Sequence, residues 1–541
     1  MLLPLLSACV APPVPQVRAD LLTDRGALSA ESVSPDPLAA APRRAVSLPA
    51  GTPAVLVNEV QTRNDSTVMD VDNTFPDWFE LVNVGDAAVP LANLTLTGDN
   101  GAWVGGDGVL EPGATLLVLS PFALDAGGDH LDLYADGTRT DGLATGEMAG
   151  DTAWARFPDG SDWALTGRAT PGWSNGSRPA PADPSDVFFT IEDADDINDL
   201  WVGLSETSYA SLEDSPYVEV PASLAFEGAW FPDVSARRKG VYGSLRSMSQ
   251  KVALKLDLNQ YTDHHLRGLE TLSINNMVQD VTYVHEALAY LVWRSCGVPA
   301  SRTGYTRMYI NDEYYGLYVH VETVDDTFLS RWYSHTDGNL YEGAYGVDFY
   351  DGYEFYFECD ECTNPDDRSD ITAVTNILNR RPAPAAWADL QEVVDMDELL
   401  TYMAVEAMLW HWDGYTTSNN YRVYHDPKSG KFQMFPWGSD QTWVDEWYGP
   451  FDAGGRIFSW CMQESDCLDL YLDKMEAVAD VMDSLDMQRR MADLLDILDT
   501  DIQGDPRKEW DTGTRNSYLR ATTQTIDTTA QRMRDEAASR R

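Results

Sequence analysis

The chain has 541 residues, which is too long for one compact core and predicts about two to four domains. Its 87 acidic and 38 basic residues give a formal net charge of −49, and such a surface repels nucleic acid and anionic lipid headgroups. Hydrophobic residues make up 43% of the sequence and aromatic residues 11%, so we expect most of it to fold.

The first residues read MLLPLLSACVAPPVP, and the segment that ends at Cys9 resembles a bacterial lipobox, in which the cysteine carries lipid. The apolar run before Cys9 is short and lacks Lys and Arg, which predicts that the natural start codon lies upstream. We expect residues 1–9 to be a partial lipoprotein signal and residues 10–50 to be a flexible tether rich in Pro and Ala. Because no later segment has about 18 uninterrupted apolar residues, we predict membrane attachment only through this lipid.

Residues 51–176 show the alternation of apolar and polar residues that is typical of β-strands. The predicted strands are AVLVNEVQ, WFELVNV, LTLTGD, TLLVLS and HLDLYAD, separated by Gly, Asp, Asn and Pro. Short strands at this regular spacing indicate a small β-sandwich. A Pro-rich linker at residues 177–186 follows and marks a domain boundary.

This region resembles a bacterial lamin-tail domain. The resemblance depends on four short motifs: Asn58-Glu59, Asp77-Trp78, Glu80-Leu81 and Thr170-Pro171-Gly172. It implies an all-β, immunoglobulin-like sandwich with an adhesive or positioning role on a secreted or surface protein. The nearby acids Asp65, Asp70, Asp72 and Asp77 could hold Ca²⁺, but their spacing is not that of an EF-hand, and a solvated loop fits it better.

Residues 187–541 change to a mixed α+β pattern. The predicted strands include VFFTIE, VALKLDL and RMYINDEYYGLYVHVE, the last with a hairpin turn at Asn311-Asp312. DVTYVHEALAYLVWRSCG and MDELLTYMAVEAMLWHW are predicted to be helices, and RVYHDPKSGKFQMF a strand, a turn and a strand. Three further helices are expected to form a C-terminal helical bundle.

Six cysteines indicate the redox compartment. If Cys9 carries lipid, two close pairs remain that could form local disulfides in an oxidising compartment, Cys359 with Cys362 and Cys461 with Cys467. A zinc site built from both pairs is the alternative, although the separation between the pairs is longer than in a compact zinc module.

One basic island stands out in this acidic chain and predicts a phosphate site. It contains two glycines, and its cations are Arg237, Arg238, Lys239, Arg246, Lys251 and Lys255. On a strand, Lys251 and Lys255 would share a face, as the phosphate-binding strand lysine of protein kinases does beside a helix glutamate. Glu286 would be that glutamate, and Glu322 either lines the cleft or pairs with an arginine such as Arg331.

Two isolated acids lie in aromatic surroundings, Asp413 in HWDGYTTSNN and Asp440 in FPWGSDQTW. A buried carboxylate is costly unless it is paired, hydrogen-bonded or bound to a metal. Mg²⁺ takes oxygen ligands and usually only one or two carboxylates, with substrate phosphates completing its shell. We therefore predict that Asp440 binds a metal and that Asp413 orients a nucleophile or also binds the metal.

Together these motifs resemble the spore-coat-protein-H (CotH) kinase family over residues 237–443. The resemblance implies an atypical protein-kinase-like fold that uses ATP with Mg²⁺ or Mn²⁺ to phosphorylate protein side chains. It implies catalytic or metal-binding roles for Asp413, Asp440 and Asn420. It implies ATP contacts from Arg237, Lys239, Lys251 and Lys255, steadied by Glu286 or Glu322. Many members read Trp-Asp-X-Asp where this chain has Trp437-Gly438-Ser439-Asp440.

The leading hypothesis is a surface-tethered, metal- and ATP-dependent atypical protein kinase that acts on an unknown protein substrate in the bacterial cell envelope or outside the cell. The alternative is a non-catalytic surface or adhesion protein with an inactive or nucleotide-binding kinase-like module. A two-carboxylate glycosidase that uses Asp413 and Asp440 is a third interpretation, but it would leave the basic island without a role.

Overall fold

A computed structural model describes most of the chain after residue 54. The described residues are 55–175, 179, 183–227, 229–241, 243–443, 448–452 and 454–541. The expected lipidation of Cys9, the tether at residues 10–50 and part of the linker at residues 177–186 lie outside this set. Within it, no helix combines the length and the apolar character that crossing a membrane requires.

The N-terminal region is built from β-strands. Its strands are β1 (Val55–Gln61), β2 (Trp78–Asn83), β3 (Val89–Pro90), β4 (Leu94–Gly98), β5 (Gly101–Val104), β6 (Val109–Leu110), β7 (Thr115–Leu119), β8 (His130–Ala135), β9 (Thr138–Ala144), β10 (Ala153–Phe157) and β11 (Asp162–Thr166). One sheet has the order β11-β10-β1-β2-β7 and another β5-β4-β8-β9, while β3 pairs with β6. Apolar side chains of β1, β2, β4 and β8 share one core, so the two larger sheets face each other.

A closed barrel of seven strands follows. The strands are β12 (Asn198–Leu204), β13 (Val220–Phe226), β14 (Ala229–Lys239), β15 (Ala253–Asp257), β16 (Thr271–Asn275), β17 (Thr303–Ile310) and β18 (Glu313–Glu322). Their order is β12-β13-β14-β15-β16-β18-β17, and parallel pairing of β12 with β17 closes the barrel. The hairpin predicted at Asn311-Asp312 joins β17 to β18, and both turn residues have positive φ angles, 49° and 67°.

A second, smaller sheet and most of the helices form the rest of the chain. The sheet has the strands β19 (Asn339–Gly343), β20 (Phe357–Glu361), β21 (Tyr421–Asp426) and β22 (Lys431–Pro436), in the order β20-β19-β21-β22. The helices are α1 (Glu206–Asp214), α2 (His285–Ser295), α3 (Asp326–Trp332), α4 (Ser369–Leu378), α5 (Pro384–Val393), α6 (Met396–Leu409), α7 (Arg456–Cys461), α8 (Ser465–Ser484), α9 (Met487–Gly504) and α10 (Thr512–Arg540). The largest core of the molecule joins α2, α6 and the C-terminal helices to this sheet.

Two sequence-based expectations about these elements are wrong. The segment VFFTIE is not a strand, because Asp183 caps and Pro184 opens a short 3₁₀ helix over Pro184–Phe188. The predicted helix from Asp280 begins only at His285. The C-terminal region is helical, and α8 and α10 pack on each other and share one core with α6.

Candidate active site

The loop between α6 and β21 carries Asp413, and we call residues 410–420 the Asp413 loop. Trp410, Ser418 and Asn420 in this loop have positive φ angles of 55°, 51° and 46°. Left-handed backbone at a non-glycine residue costs about 1–3 kcal/mol and persists only where surrounding contacts impose it. Such residues concentrate at functional sites, which makes the loop a candidate.

Two buried carboxylates hold the Asp413 loop in this shape. Glu406 on α6 accepts hydrogen bonds from the backbone N–H groups of Tyr415 and Thr416, at 2.9 and 2.7 Å. Asp348 accepts hydrogen bonds from the hydroxyls of Tyr415 and Ser418, at 3.0 and 3.1 Å. Burial raises the pKa of Glu406 to about 7, although the hydrogen bonds from Thr416 oppose that rise. Removing either carboxylate would leave buried donors unpaired.

His411 connects the Asp413 loop to the segment that carries Asp440. Its Nε2 lies 3.2 Å from the carbonyl oxygen of Gly438. Burial lowers the pKa of His411 to about 4, so the imidazole is neutral at physiological pH and donates from Nε2 to this carbonyl. Gly414 packs closely against the side chains of His411 and Glu406. A Cβ at this position would lie 2.9 Å from His411 Nδ1 and 2.5 Å from Glu406 Oε2.

Three side-chain amides surround the Asp413 carboxylate. Asn419 Nδ2 donates to Oδ1 at 2.9 Å, and Asn420 Nδ2 donates to Oδ2 at 3.0 Å and to the Asp413 carbonyl at 2.9 Å. Gln441 Nε2 donates to Oδ2 at 3.3 Å. Burial raises the pKa of Asp413, and the hydrogen bonds from Asn419 and Asn420 oppose that rise. Because Gln441 follows Asp440 directly, the two predicted acids lie in one place.

Asp440 lies in a partly buried position just after β22. Burial raises its pKa well above the usual range, and repulsion from Glu286, Asp280 and Asp413 raises it further. A hydrogen bond from its own backbone N–H opposes this rise. Asp440 is thus an acid whose strongest charged neighbours are also acids. A bound cation would relieve that repulsion.

The donor set around Asp440 fits a divalent cation. Because Asn420 Nδ2 is bonded to Asp413, its Oδ1 remains as an oxygen ligand beside the two carboxylates. Carboxylate and amide oxygens are the ligands that Mg²⁺ prefers, and Mg²⁺ needs only one or two carboxylates when substrate phosphates complete the shell. Within the described residues, no group of three or more His, Cys, Asp or Glu side chains forms a ready-made metal site.

Gly438 lies against this donor set. Its φ angle is +56°, and a Cβ at this position would lie 3.2 to 3.4 Å from the side-chain amide of Asn420. A larger residue would therefore both strain the backbone and crowd Asn420. Gly438, at the position of the first acid in the Trp-Asp-X-Asp pattern, thus leaves room beside Asn420, a predicted metal ligand.

Lys239, the last residue of β14, is connected through Asn275 to Glu286, the acid that acts most strongly on Asp440. Lys239 Nζ donates to Asn275 Oδ1 at 2.8 Å, and Asn275 Nδ2 donates to both carboxylate oxygens of Glu286, at 3.1 and 3.2 Å. Burial lowers the pKa of Lys239 to about 7, and Glu286 opposes that fall. Burial also raises the pKa of Glu286 to about 7, against the hydrogen bond from Asn275 and the charge of Lys239.

Other basic side chains lie near Lys239. Arg237 of β14 is directly opposite Lys255 of β15. Like charges at directly opposed strand positions repel each other, so this pair favours an anionic ligand. Arg422 of β21 faces the same place, and both its guanidinium and the Lys239 ammonium lie over the ring of Trp437, at 5.3 and 5.1 Å from the ring centroid.

The glycine-containing loop after β14 turns sharply beside these cations. Gly240 has a φ angle of +97°, and a Cβ there would lie 2.7 Å from Ser244 Oγ and 2.9 Å from the backbone nitrogen of Leu245. Arg246, from the same loop, is not available to a phosphate, because it makes a two-point ion pair with Glu509 at 2.5 and 2.7 Å.

Lys251 does not lie with the other predicted phosphate ligands. Its ammonium is buried, forms an ion pair with Asp505 and donates to the carbonyl of Leu317 at 2.7 Å. The expectation that Lys251 shares a face with Lys255 is wrong, because β15 begins only at Ala253 and Lys251 precedes the strand. Lys251 therefore joins the C-terminal region to the barrel.

Glu322 also lies outside the candidate site. Its carboxylate is buried and pairs with Arg302, whose Nη2 lies 2.7 Å from Oε1, and with Arg331. Of the two interpretations of Glu322, the structure has the ion pair with Arg331 rather than a place in the cleft. Glu286, by contrast, faces Asp440 and Lys239.

The close cysteine pairs form disulfides, Cys359 with Cys362 and Cys461 with Cys467. Neither pair is then available as thiolate for zinc. Cys296 is a free, half-buried thiol whose pKa is raised by burial.

Several residues of the site could not be recognised from sequence. Asn275, Asp348 and Gln441 each contact a site residue that is 28 or more positions away in sequence. Glu406 and Asp280 lie closer to their partners, but neither belongs to a motif. Asp280 is buried and accepts hydrogen bonds from the backbone N–H groups of Tyr283 and His285, at 3.0 and 2.8 Å, where α2 begins. Asp280, however, could have been recognised from the sequence, because an Asp shortly before a predicted helix often caps its N-terminus.

Cations on the barrel face and oxygen ligands on the facing loops thus define a site suited to a phosphate-bearing ligand and a divalent cation. Residues 237–541, which are more than half of the chain, match the family described as CotH kinase protein. The chain therefore belongs to the CotH kinase family.

Individual relatives are more distant. Inner spore coat protein H of Bacillus subtilis is 21% identical over 204 residues, which cover 35% of this chain and 54% of that protein. Invasin CotH2 of Rhizopus delemar is 24% identical over 204 residues, which cover 31% of this chain and 32% of that protein. Invasin CotH3 of the same fungus is 24% identical over 183 residues, which cover 30% of each. The chain spans about half the length, or less, of these curated relatives.

A solved structure, that of the Helicobacter pylori proinflammatory kinase CtkA, is similar over 56% of this chain and 94% of that chain, at 9% identity and a TM-score of 0.27. A TM-score this low carries no argument about fold or function.

Proposed function

We propose that this chain is an atypical protein kinase that transfers phosphate from ATP to protein side chains with the help of Mg²⁺ or Mn²⁺. The observation that carries the proposal is that Asp413 and Glu286 both act on Asp440, while Glu286 is bridged to Lys239 through Asn275. Phosphoryl transfer needs positioning and charge stabilisation more than covalent chemistry. This arrangement of two acids, an amide and a cation can supply both.

The cations of the barrel face bind the donor in this proposal. Lys239 contacts the phosphates near the transferred group, and Arg237 and Lys255 lie two residues further along their strands, about 7 Å away at the usual strand rise. Arg422 lies over Trp437 as well, but it forms ion pairs with Glu342 and Asp360, so we do not count it as a phosphate ligand. This row of cations suits a triphosphate. We therefore propose Arg237, Lys239 and Lys255 as ATP ligands, but not Lys251.

The acids on the facing loops handle the acceptor and the cation. In the transfer step, the oxygen of the acceptor hydroxyl attacks the terminal phosphorus of ATP while Asp413 accepts the hydroxyl proton. The bond between this phosphorus and the bridging oxygen breaks, and the nucleoside diphosphate leaves. Asp440 and Asn420 would hold the divalent cation, with Asp413 as a further candidate ligand. When bound, that cation supplies charge neutralisation at the phosphates.

The arrangement of the whole chain is also a proposal. We infer a lamin-tail-like, immunoglobulin-like sandwich at residues 51–176 and a kinase-like domain at residues 187–541, joined by the linker at 177–186. The face-to-face sheets of the N-terminal region support the first, and the family match supports the second. Names that refer to a spore coat and to invasins among the relatives, together with two disulfides, support an exported, cell-surface location. Anchoring through lipid on Cys9 belongs to the same proposal.

One observation favours a second candidate, a non-catalytic surface protein that binds a nucleotide. Gly438 stands where many family members have an acid, so the site has one carboxylate fewer. The hypothesis predicts metal-dependent nucleotide binding without transfer.

Calorimetric titration with an ATP analogue that cannot transfer phosphate, followed by incubation with γ-labelled ATP and a generic protein acceptor, separates the two candidates. The proposed kinase binds the analogue only with Mg²⁺ or Mn²⁺ and labels the acceptor, and Asp440→Ala loses both properties. Binding without labelling supports the second candidate. If the chain neither binds the analogue nor labels the acceptor, both candidate functions are contradicted.

A further inference from the structure

The contact between Lys239 and Glu286 is indirect. The two side chains are not within ion-pair distance of each other, and the amide of Asn275 bridges them, with its oxygen 2.8 Å from Lys239 Nζ and its nitrogen 3.1 and 3.2 Å from the Glu286 oxygens. The backbone allows this bridge, because Lys239 is opposite Ala253 in the barrel and the small alanine lets the lysine reach across β15 to β16.

The charges around the bridge are unequal. Lys239 faces Arg237, Lys255 and Arg422, from β14, β15 and β21, and its one acidic neighbour of consequence is Glu286. The Glu286 carboxylate is repelled by Asp280, which precedes α2, and it raises the pKa of Asp440, which follows β22. The bridge is therefore the boundary between a group of cations and a group of acids.

We propose that Asn275 is a positioning residue of this site, which holds the Lys239 ammonium toward the donor phosphates and apart from Glu286, so that phosphate binding takes up a proton. The inference rests on the proposed function, because it assigns a role to a residue of the same site. No covalent step is involved, and the proton comes from solvent.

The physical reason is the balance of charge at Lys239. A direct ion pair would keep the lysine protonated whether or not a ligand is bound. With the amide between them, the buried lysine next to three other cations has a pKa of about 7. An anionic phosphate raises that pKa, so above pH 7 the lysine takes up a proton when the phosphate binds. Affinity should then fall with rising pH above 7, by up to about tenfold per pH unit, until pH passes the pKa of the complex.

Asn275→Asp tests the bridge most sharply. It places a carboxylate next to Lys239, which should keep the lysine protonated between pH 6.5 and about 8.5. The matched control is Asn259→Asp, because the Asn259 amide also donates to a glutamate, Glu270 at 2.6 Å, at an exposed position outside the site. Asn275→Ser is the second variant, and it removes the bridge without adding charge.

The measurement is calorimetric titration of the full chain with the non-transferable ATP analogue and Mg²⁺ from pH 6.5 to 8.5, in buffers of different ionisation enthalpy. Thermal melting shows which variants are folded. We expect wild type and Asn259→Asp to take up close to one proton per nucleotide at pH 8. Asn275→Asp should take up almost none, with an affinity that varies less than threefold over this range, and Asn275→Ser should bind at least fivefold more weakly at pH 7.

Equal proton uptake and equal pH dependence in wild type and Asn275→Asp would overturn the inference and leave the proposed function intact. A wild-type chain that binds no nucleotide at any pH would instead overturn the proposed function, and the inference with it.

Discussion

Asp440→Asn should stabilise the metal-free protein while removing its response to metal and nucleotide. The carboxylate is held among Glu286, Asp280 and Asp413, and all three raise its pKa after burial itself. Neighbouring like charges repel each other by up to about 4 kcal/mol at an effective dielectric constant near 20. Protonation and partial exposure relieve most of this repulsion, so we expect a net gain of about 1–2 kcal/mol and a rise in Tm of about 1–3 °C for a domain of this size.

The sign of the pH dependence follows from the raised pKa. Because folding favours the protonated carboxyl, Asp440 costs little stability below the pKa of an unfolded aspartate, and the cost grows as pH rises above it. The advantage of Asp440→Asn should therefore be small near pH 4 and grow as pH rises to 8. A matched control is Asp469→Asn, because Asp469 is exposed on α8.

Thermal melting at pH 4, 6 and 8, with and without Mn²⁺ and the ATP analogue, gives the assay. Ligand should raise the Tm of wild type and of Asp469→Asn but not that of Asp440→Asn, because only a state that binds ligand gains stability from it. If Asp440→Asn melts lower than wild type without metal at pH 8, or still responds to Mn²⁺ and analogue, the assignment of Asp440 as a metal ligand is refuted.

Three other substitutions test separate parts of the account. Asp413→Ala should lower the rate of phosphate transfer at least about a hundredfold and change analogue affinity less than about threefold, as expected of a group that acts on the acceptor; a loss of affinity instead would make it a nucleotide or metal ligand. Lys251→Met should lower the free energy of unfolding by about 3–5 kcal/mol, because it leaves Asp505 buried without its partner, and the double change with Asp505→Leu should recover most of that loss in denaturant titration. Gly438→Ala should cost about 1–2 kcal/mol and weaken Mn²⁺ binding in electron paramagnetic resonance titrations, because it strains the backbone and crowds Asn420; unchanged binding would separate Asn420 from the metal.

Local patterns predicted local structure well. The turn residues Asn311-Asp312 mark the hairpin between β17 and β18, and the periodic run from Met396 predicts α6. In both cases the signal lies in neighbouring residues, through turn chemistry or helical spacing.

The phosphate lysine shows where sequence reasoning failed. Counting alternate residues back from Lys255 assigns Lys251 to the same face, but the strand does not extend that far and Lys251 enters the core to meet Asp505. The ion pair spans more than 250 residues of sequence, as the separation of 254 shows, so no local pattern contains it. Lys239 and Glu286 are brought together through Asn275, which is 36 residues from Lys239 in sequence.

Supporting residues were missed for the same reason. Glu406 appears in the sequence as one acid among the apolar residues of α6, and Asp348 as one acid in an aromatic segment. Their roles become visible only when the Asp413 loop folds back onto both of them. Paired functional acids can be proposed from motifs, whereas the buried groups that hold them require the tertiary fold.

The central claim is that Asp413, Asp440 and Lys239 form one metal-dependent phosphotransfer site. The most direct measurement is mass spectrometry of a protein acceptor incubated with ATP and Mn²⁺ and each of four chains: wild type, Asp413→Ala, Asp440→Ala and Lys239→Ala. The account predicts phosphorylated side chains with wild type, and at least a hundredfold less with each variant and after removal of metal. Equal phosphorylation by wild type and Asp440→Ala, or phosphorylation that survives chelation of the metal, would contradict it.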